Sequence, residues 1–280
     1  MRIAITGASG FVGRHVLQAL HEREQDVVVV ARTAARAASI PGPHASVVLD
    51  VADGGEDPFA AMGKPDVLIH LAWDGLPNYQ STRHVETELP AQIRFLAACV
   101  RGGLKRLVVT GTCFEYGLAA GELTEQTPTQ PCTQYGRAKD RLRQELQAWQ
   151  ADADFELAWL RLFYLFGEGQ SEKSLYPLFQ AALQRGDAGF DMSGGDQVRD
   201  FLPVREAARL LVDVALLRGD TGVVNLCSGR PITVRRLVQS WIDAAGADIA
   251  MNLGRLPYSE IEPMAFWGSR ARLNALLGVS

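Results

Sequence analysis

The first thirteen residues constrain the fold of this chain more than any other stretch. Residues 1–6 form a short apolar run that predicts a strand, and a helix is predicted to begin near Phe11. Between them lie Gly7, Gly10 and Gly13. In such a turn the first glycine permits a tight bend, the second lets backbone approach a pyrophosphate, and the third lets the helix pack closely on the strand. Since free N–H groups at a helix start favour phosphate, the stretch predicts a dinucleotide site, with a ligand-free turn as the alternative.

Apolar runs and helical patterns alternate along the rest of the chain. Further strands are predicted at 27–30, 47–49, 67–71, 107–110 and 157–160, and helices at about 11–21, 81–101 and 135–151. The run 27–30 consists only of valine, and such continuous apolar runs are typical of parallel strands buried on both faces. The alternation predicts a doubly wound α/β fold around a parallel sheet.

Composition excludes several classes of partner. The net charge is −4 and the chain contains no basic run, which argues against nucleic acid as a ligand. No apolar run is long enough to span a bilayer, and the first strand starts at the N-terminus, so we expect a cytoplasmic protein without a signal peptide. The four cysteines lack metal or redox spacing, which predicts reduced thiols and no metal site.

The residues after the second and third strands bear on which dinucleotide binds. An NAD-specific site usually has an acidic side chain after the second strand, which accepts from the ribose 2′-hydroxyl, whereas this chain has Arg32. Arg32, with Arg14 beyond the third glycine, could pair with a 2′-phosphate, so NADP(H) is predicted in preference to NAD. The alternative is that both arginines are solvated. Asp50 and Val51 are predicted to meet the adenine, although Asp50 could equally cap a turn.

A phenol and an ammonium group lie four residues apart, at Tyr135 and Lys139. On a helix this spacing puts both on one face. A free tyrosine has a pKa of about 10, and a nearby ammonium lowers it by stabilising the phenolate. Thr112 lies just past the strand 107–110, where its hydroxyl could bond a substrate oxygen. These side chains are therefore candidate acid–base residues, with an exposed helix surface as the alternative for the Tyr–Lys pair.

The motifs and their order resemble those of the extended short-chain dehydrogenases/reductases, also called the NAD-dependent epimerase/dehydratase family. The resemblance covers nearly the whole chain and rests on segments 6–13, 70–72 and 110–117, on Tyr135 with Lys139, and on 199–201 with Val204. It implies a Rossmann domain, a smaller C-terminal lobe that holds a nucleotide-linked sugar, and a catalytic trio formed by Thr112, Tyr135 and Lys139. The Rossmann domain would comprise 1–166 and about 205–229, and the lobe about 167–204 and 230–280.

Motifs and resemblance together predict which residues surround the two ligands. The predicted cofactor-binding residues are Gly7, Ser9, Gly10, Phe11, Val12, Gly13, Arg32, Asp50, Val51, Leu71, Ala72, Thr110, Tyr135, Lys139, Phe163 and Tyr164. The predicted substrate-binding residues are Trp73, Thr112, Cys113, Phe114, Tyr135, Tyr164, Tyr176 and Arg199. Arg199 is assigned to the diphosphate because a guanidinium fork suits phosphate oxygens. An ion pair with Asp200 or Asp196 is the alternative.

Several positions narrow the activity that the resemblance implies. Sugar-nucleotide 4,6-dehydratases carry Asp-Glu directly after the catalytic Ser/Thr, but this chain has Cys113 and Phe114 there, which can serve as neither the acid nor the base. Glu88 and Tyr164 stand where the family often has Asn, so the nicotinamide environment departs from the commonest one.

Segments 71–79 and 111–117 look like those of reductases that act on nucleotide-linked 4-keto-6-deoxy sugars. We therefore predict NADPH-dependent reduction of the C4 keto group of such a sugar, carried by dTDP or else by GDP or CDP, in deoxysugar biosynthesis. The alternatives are an NAD-dependent nucleotide-sugar 4-epimerase, a regulatory protein that senses a dinucleotide without turnover, and a structural partner subunit of another enzyme with a vestigial site.

The long helices 81–101 and 135–151 also bear on assembly. In the resembled family this pair commonly forms a dimer interface. Ile93, Leu96, Cys99 and Val100 form an apolar stripe at helical spacing, which predicts an isologous homodimer.

Overall fold

The computed structural model describes residues 1–279 and confirms the α/β prediction. The strands are β1 Arg2–Thr6, β2 Asp26–Ala31, β3 Ala45–Val48, β4 Val67–His70, β5 Arg106–Thr112, β6 Gly121–Leu123, β7 Glu156–Leu162, β8 Tyr164–Phe166, β9 Gly189–Asp191, β10 Val198–Pro203, β11 Gly222–Leu226, β12 Pro231–Thr233, β13 Ala250–Asn252 and β14 Phe266–Gly268. The helices are α1 Phe11–Glu22, α2 Ala34–Ala38, α3 Pro58–Ala61, α4 Leu89–Arg101, α5 Gln134–Trp149, α6 Leu175–Arg185, α7 Val204–Leu216, α8 Val234–Ala245 and α9 Ala271–Leu277.

The central sheet has seven parallel strands in the order β11-β7-β5-β4-β1-β2-β3. Successive side chains of a strand point to opposite faces, and here both faces are covered. Ile3 and Ile5 pack in the core on the side of α1 and α7, whereas Ala4 packs on the side of α4 and α5. This double burial explains why the strands are apolar without alternation.

The order of the strands places a crevice at the end of β1. The chain runs from β1 to β2 and β3 on one side of the sheet and continues with β4 and β5 on the other. Ligands of open α/β sheets bind outside the carboxyl ends of the strands at such a reversal. The glycine turn therefore lies where a ligand is expected.

Close approach explains two of the three glycines. Gly7 has φ +73°, and a Cβ on it would lie 2.8 Å from the backbone nitrogen of Ala72. A Cβ on Gly13 would lie 2.0 Å from the carbonyl oxygen of Gly7. Any side chain at these positions would push the turn away from β4 or from α1.

Three small sheets lie outside the central sheet, with strand orders β12-β10-β8, β13-β9 and β14-β6. α6 and α8 enclose a separate apolar cluster that includes Phe179, Phe190, Met192 and Val238. β11 joins the central sheet, and α7 packs against α1. Within residues 1–279, none of the helices combines the length and the apolar character that a membrane crossing needs.

The helix predicted at 81–101 differs in two respects from the prediction. It begins with a π-helical turn at His84–Glu88, and only α4 is regular. Pro90 follows this turn and has no N–H for the usual bond four residues back, which is compatible with a wider turn. The predicted apolar stripe is also wrong as an interface at Leu96 and Cys99, because both are completely buried in the core of this chain.

Candidate active site

A cavity of about 330 Å³ opens at the end of β1. Its walls come from the glycine turn, the end of β2, the loop after β3, the loop after β4 and α4. The predicted cofactor and substrate residues among its lining are Gly7, Ser9, Gly10, Arg32, Asp50, Val51, Leu71, Ala72 and Trp73. Phe11, Val12 and Gly13 form the first turn of α1 directly behind it.

The cavity is compatible with a dinucleotide. Gly10 is the N-cap of α1 and makes no side-chain capping bond, so N–H groups of the first turn remain for a phosphate. Apolar walls from Val51, Leu71 and Ile40 offer a surface for a flat ring. Asp50 lines the same wall, and its Oδ1 accepts from the N–H of Ala52 at 2.9 Å. It therefore makes the turn contact that the sequence offered as an alternative.

Acidic side chains face the arginine on which the prediction of NADP depends. Arg32 Nη1 lies 3.4 Å from Asp74 Oδ2, and Arg83 Nη2 lies 3.3 Å from the same oxygen. Arg83 also reaches Glu88 Oε1 at 3.4 Å. Asp74 is 42 positions from Arg32, so no local pattern in the sequence pairs the two.

α5 brings the predicted trio together. A Cβ on Gly136 would lie 2.6 Å from the carbonyl oxygen of Phe114, so the first turn of α5 touches the segment that follows Thr112. One turn later, Lys139 Nζ donates to the carbonyl oxygen of Thr110 at 2.9 Å. The part of α5 that carries Tyr135 and Lys139 is thus held against the end of β5 and the turn that follows Thr112.

Lys139 is 2% exposed, and its surroundings shift its protonation. Burial lowers its pKa to about 7, with Glu115 and Glu88 opposing the shift. The indole ring of Trp73 covers the ammonium group, with Nζ 4.1 Å from the ring centre. A lysine with this pKa can change charge near neutral pH.

Tyr135 is also buried, and its pKa moves against the prediction. Burial raises the pKa of Tyr135 well above its ordinary value, and Tyr79 and Glu115 raise it further. Lys139 Nζ lies 5.9 Å from the centre of the tyrosine ring. The predicted lowering by the ammonium is wrong for this structure because desolvation of the phenolate dominates. A phenol of this kind keeps its proton and can act as a donor.

The hydroxyl of Thr112 has a structural partner that the sequence analysis did not identify. Its Oγ1 accepts from the N–H of Phe114 at 3.2 Å and caps the short 3₁₀ helix Cys113–Tyr116. Glu115 returns the contact by accepting from the N–H of Thr112 at 2.9 Å. The spacing Thr-x-x-Glu is the sequence signal of this capping box, so Glu115 could have been found.

Glu115 is completely buried and joins Thr112 to β7. Its carboxylate accepts from Arg161 Nε at 2.7 Å and from Trp159 Nε1 at 3.0 Å. Arg143 Nε on α5 lies 3.8 Å from the same carboxylate. One charged group therefore ties together the three elements that carry the candidate site.

His84 is a second buried residue that the sequence analysis missed. Its Nδ1 accepts from Trp73 Nε1 at 3.0 Å, and its Nε2 lies 2.8 Å from the carbonyl oxygen of Asn78. Because the indole nitrogen can only donate, Nδ1 is the acceptor and Nε2 carries the proton. The ring also stands at 5.3 Å from the ring of Tyr135. No sequence motif marks this histidine.

Arg199 is 2% exposed and already paired. Its Nη2 donates to Glu262 Oε2 at 3.0 Å, and the guanidinium lies 4.6 Å from the centre of the Phe266 ring. The predicted alternative partners are wrong: Asp200 instead accepts from the N–H groups of Ser228 and Gly229. The guanidinium would have to give up or share Glu262 to meet a diphosphate.

The remaining predicted site residues lie in three places. Cys113, Phe163 and Tyr164 pack with Phe266 in one small apolar cluster next to Arg199. Phe114 pairs with the ring of Tyr79, with 4.9 Å between the centres. Tyr176 packs against Phe166 and Trp241 in the C-terminal part.

Known proteins resemble this chain over most of its length. A dTDP-6-deoxy-L-talose 4-dehydrogenase (NAD(+)) from Aggregatibacter actinomycetemcomitans is 26% identical over 272 residues, which are 96% of this chain and 100% of that protein. A UDP-glucose 4-epimerase from Azospirillum brasilense is 25% identical over 89% of this chain and 78% of its own length.

Solved structures and a family model lead to the same conclusion. The structure of MoeE5 in complex with UDP-glucuronic acid and NAD superposes with a TM-score of 0.80, is 26% identical, and is matched over 100% of this chain and 93% of its own. The model of the NAD dependent epimerase/dehydratase family matches residues 3–227. This chain therefore belongs to the NAD dependent epimerase/dehydratase family.

Proposed function

We propose that this protein is an NADPH-dependent reductase that acts on the C4 keto group of a nucleotide-linked 4-keto-6-deoxy sugar. The observation that carries the proposal is a buried Tyr135 that holds its proton, set beside Lys139 and the end of β5. Reduction of a ketone needs such a proton donor. Relatives named as 6-deoxytalose 4-dehydrogenases support C4 as the reacting carbon, because oxidising a C4 hydroxyl is the reverse of reducing a C4 ketone.

The side chains would divide the work of reduction. A nicotinamide dinucleotide, when bound, would supply the hydride. As charge develops on the C4 oxygen, Tyr135 delivers the proton and the Thr112 hydroxyl donates a hydrogen bond. The lone pair of that hydroxyl already accepts from the Phe114 N–H, so its proton is free to turn outward. Lys139 would hold the nicotinamide ribose and would provide the positive charge beside the phenol.

The small sheets and helices that follow β8 would hold the nucleotide-linked sugar. We keep the predicted division into a Rossmann domain at 1–166 with about 205–229 and a lobe at about 167–204 with 230–280. The separate apolar cluster of α6 and α8 supports it. The lobe would reach the site through the Arg199 and Tyr164 cluster.

A panel of substrates tests the activity. Purified protein is mixed with NADPH and with dTDP-, GDP- and CDP-linked 4-keto-6-deoxy sugars, and the product is identified by NMR. Steady NADPH oxidation with a C4 hydroxyl in the product is expected for at least one of them. Binding of the dinucleotide without turnover of any sugar would instead indicate a regulatory protein.

A 4-epimerase is the second candidate, because UDP-glucose 4-epimerases match most of this chain. Such an enzyme returns the hydride to the same sugar and consumes no external cofactor. Interconversion of a nucleotide sugar and its C4 epimer with catalytic NAD alone would favour it over the reductase. The NADPH consumed per product therefore separates the two.

Cofactor preference gives a prediction at Arg32. We expect a larger kcat/KM with NADPH than with NADH, because Arg32 and Arg36 both line the cavity. Arg32→Ala should reduce that preference by about ten- to a hundredfold, since a charge-assisted hydrogen bond contributes about 1.5–3 kcal/mol. Steady-state kinetics with both cofactors measure it, with the exposed Arg101→Ala as the control. Equal kcat/KM values in the unmodified protein would contradict the proposal.

Oligomeric state gives another prediction. We propose a homodimer through α4 and α5. Of the predicted apolar stripe, only the half-buried Ile93 and Val100 remain available for such an interface. Light scattering at micromolar concentration should give twice the chain mass of 30.5 kDa. Ile93→Glu should shift the mass toward the monomer. A monomer in the unmodified protein would refute the interface.

A further inference from the structure

We propose that His84 and Trp73 form a positioning pair that holds Lys139 in its ammonium form and so sets the pH range of proton transfer at this site. The proposal deepens the proposed function and rests on it for the kinetic measurement alone. Trp73 contacts the lysine, and His84 reaches the lysine through Trp73.

The contacts form a chain from backbone to ammonium. The His84 ring has no exposed surface, and both of its nitrogens have partners, the Asn78 carbonyl on one side and Trp73 Nε1 on the other. The bond at 3.0 Å fixes the plane of the indole. That plane presents its face to Lys139 Nζ at 4.1 Å from the ring centre. A ring face attracts a cation, and more strongly where water is excluded.

The other groups around Lys139 act on its pKa in both directions. Glu115 and Glu88 raise the pKa of Lys139 from the 3₁₀ turn and the π-helical turn, and burial lowers it to about 7. His70 on β4 is neutral, because burial and Lys139 lower its pKa to about 3. Tyr135 keeps its proton and adds no charge. The indole face therefore acts beside the two carboxylates and the Thr110 carbonyl oxygen, which accepts from Nζ at 2.9 Å, to favour the ammonium form.

A pKa near neutrality makes the indole contact consequential. A desolvated cation–π contact changes a pKa by about one pH unit. For a lysine whose pKa lies far from neutrality, the same change would not alter the fraction of ammonium at neutral pH. Here it decides what fraction of the protein carries the ammonium at neutral pH. The geometry also explains why a histidine is used: as a neutral ring it accepts from the indole and donates to the backbone at once.

Lysine NMR tests the first half of the proposal without any turnover. The chain has four lysines, Lys64, Lys105, Lys139 and Lys173, so ¹³Cε-labelled lysine gives few signals, and Lys139→Arg assigns the buried one. Titration of Trp73→Leu should show the Lys139 pKa lower by about one pH unit. Trp149→Phe, at the far end of α5, is the control and should leave it unchanged. An unchanged Lys139 pKa in folded Trp73→Leu would overturn the proposal.

Variants of His84 test the second half. His84→Phe keeps a ring but leaves the indole N–H unpaired, and the Lys139 pKa should fall as in Trp73→Leu. His84→Gln retains an acceptor for the indole and should restore the pKa most of the way. In a Trp73→Leu background, His84→Phe should add little, because its route to the lysine is gone. Independent, additive shifts from the two sites would contradict the pairing.

The pH profile of kcat links the pair to the reaction. Ketone reduction requires the ammonium, so activity is lost as the pH rises through the Lys139 pKa. The alkaline limb of the profile should therefore move about one pH unit lower in Trp73→Leu and in His84→Phe. A limb that stays in place while the NMR pKa falls would refute the role in proton transfer. Absence of turnover with every sugar would count against the proposed function instead and leave the NMR result standing.

Discussion

Replacing Tyr135 with phenylalanine is expected to lower kcat by about a hundredfold or more while NADPH binding survives. The substitution removes the phenolic proton and keeps the ring that packs against Trp73 and His84. Burial holds the pKa of Tyr135 well above its ordinary value, so the proton is present on the phenol before the hydride arrives. Because only one hydroxyl is removed while the ring and Lys139 remain, the loss should leave the cofactor affinity nearly unchanged.

Two measurements separate these effects. Single-turnover NADPH oxidation reports the chemical step, and a fluorescence titration of NADPH reports binding. The contrasting variant is Tyr79→Phe, which removes the neighbouring phenol at 5.7 Å between ring centres but leaves Tyr135 intact. Tyr79→Phe should lower kcat far less than Tyr135→Phe does. If the two variants lost activity equally, or if Tyr135→Phe turned over at a near-normal rate, the proton would come from another group and the trio would have to be reassigned.

The parts of the fold that depend on local sequence could be predicted. Gly7 and Gly13 mark the turn because a side chain there would strike backbone within 3 Å. The valines of β2 mark a strand buried on both faces. Tyr135 and Lys139 lie on one helix, so their spacing alone puts them side by side.

The parts of the fold and of the site that depend on long-range contacts could not be predicted from the sequence. Asp74 meets Arg32, and Glu262 meets Arg199, across loops whose paths are not encoded in any local pattern. An apolar stripe on a helix says which face is buried but not what covers it, and Leu96 turned out to face this chain's own core. The shift of the Tyr135 pKa was predicted from a neighbouring charge. The direction of that shift depends on desolvation of the phenolate, which the spacing of residues does not reveal.

Replacing Glu115 with alanine is expected to destabilise the fold by about 3–5 kcal/mol. The carboxylate has no exposed surface. It accepts from the N–H of Thr112, from Trp159 and from Arg161, which is itself 2% exposed. Without it, a buried guanidinium loses its counter-charge and two buried N–H donors lose their acceptor, and each unpaired group adds a desolvation cost.

Urea unfolding followed by circular dichroism measures the loss as a lower midpoint at an unchanged slope. Glu122→Ala, an exposed carboxylate on β6, is the matched control and should change stability by less than about 0.5 kcal/mol. Glu115→Gln keeps an acceptor for the Thr112 N–H but loses the charge that Arg161 needs, so we expect an intermediate loss. Since the same carboxylate caps the turn that carries Thr112, a variant that stays folded should also lose kcat. A Glu115→Ala protein as stable as the control would mean that water or a rearranged Arg161 satisfies the network, and that Glu115 does not hold Thr112 in place.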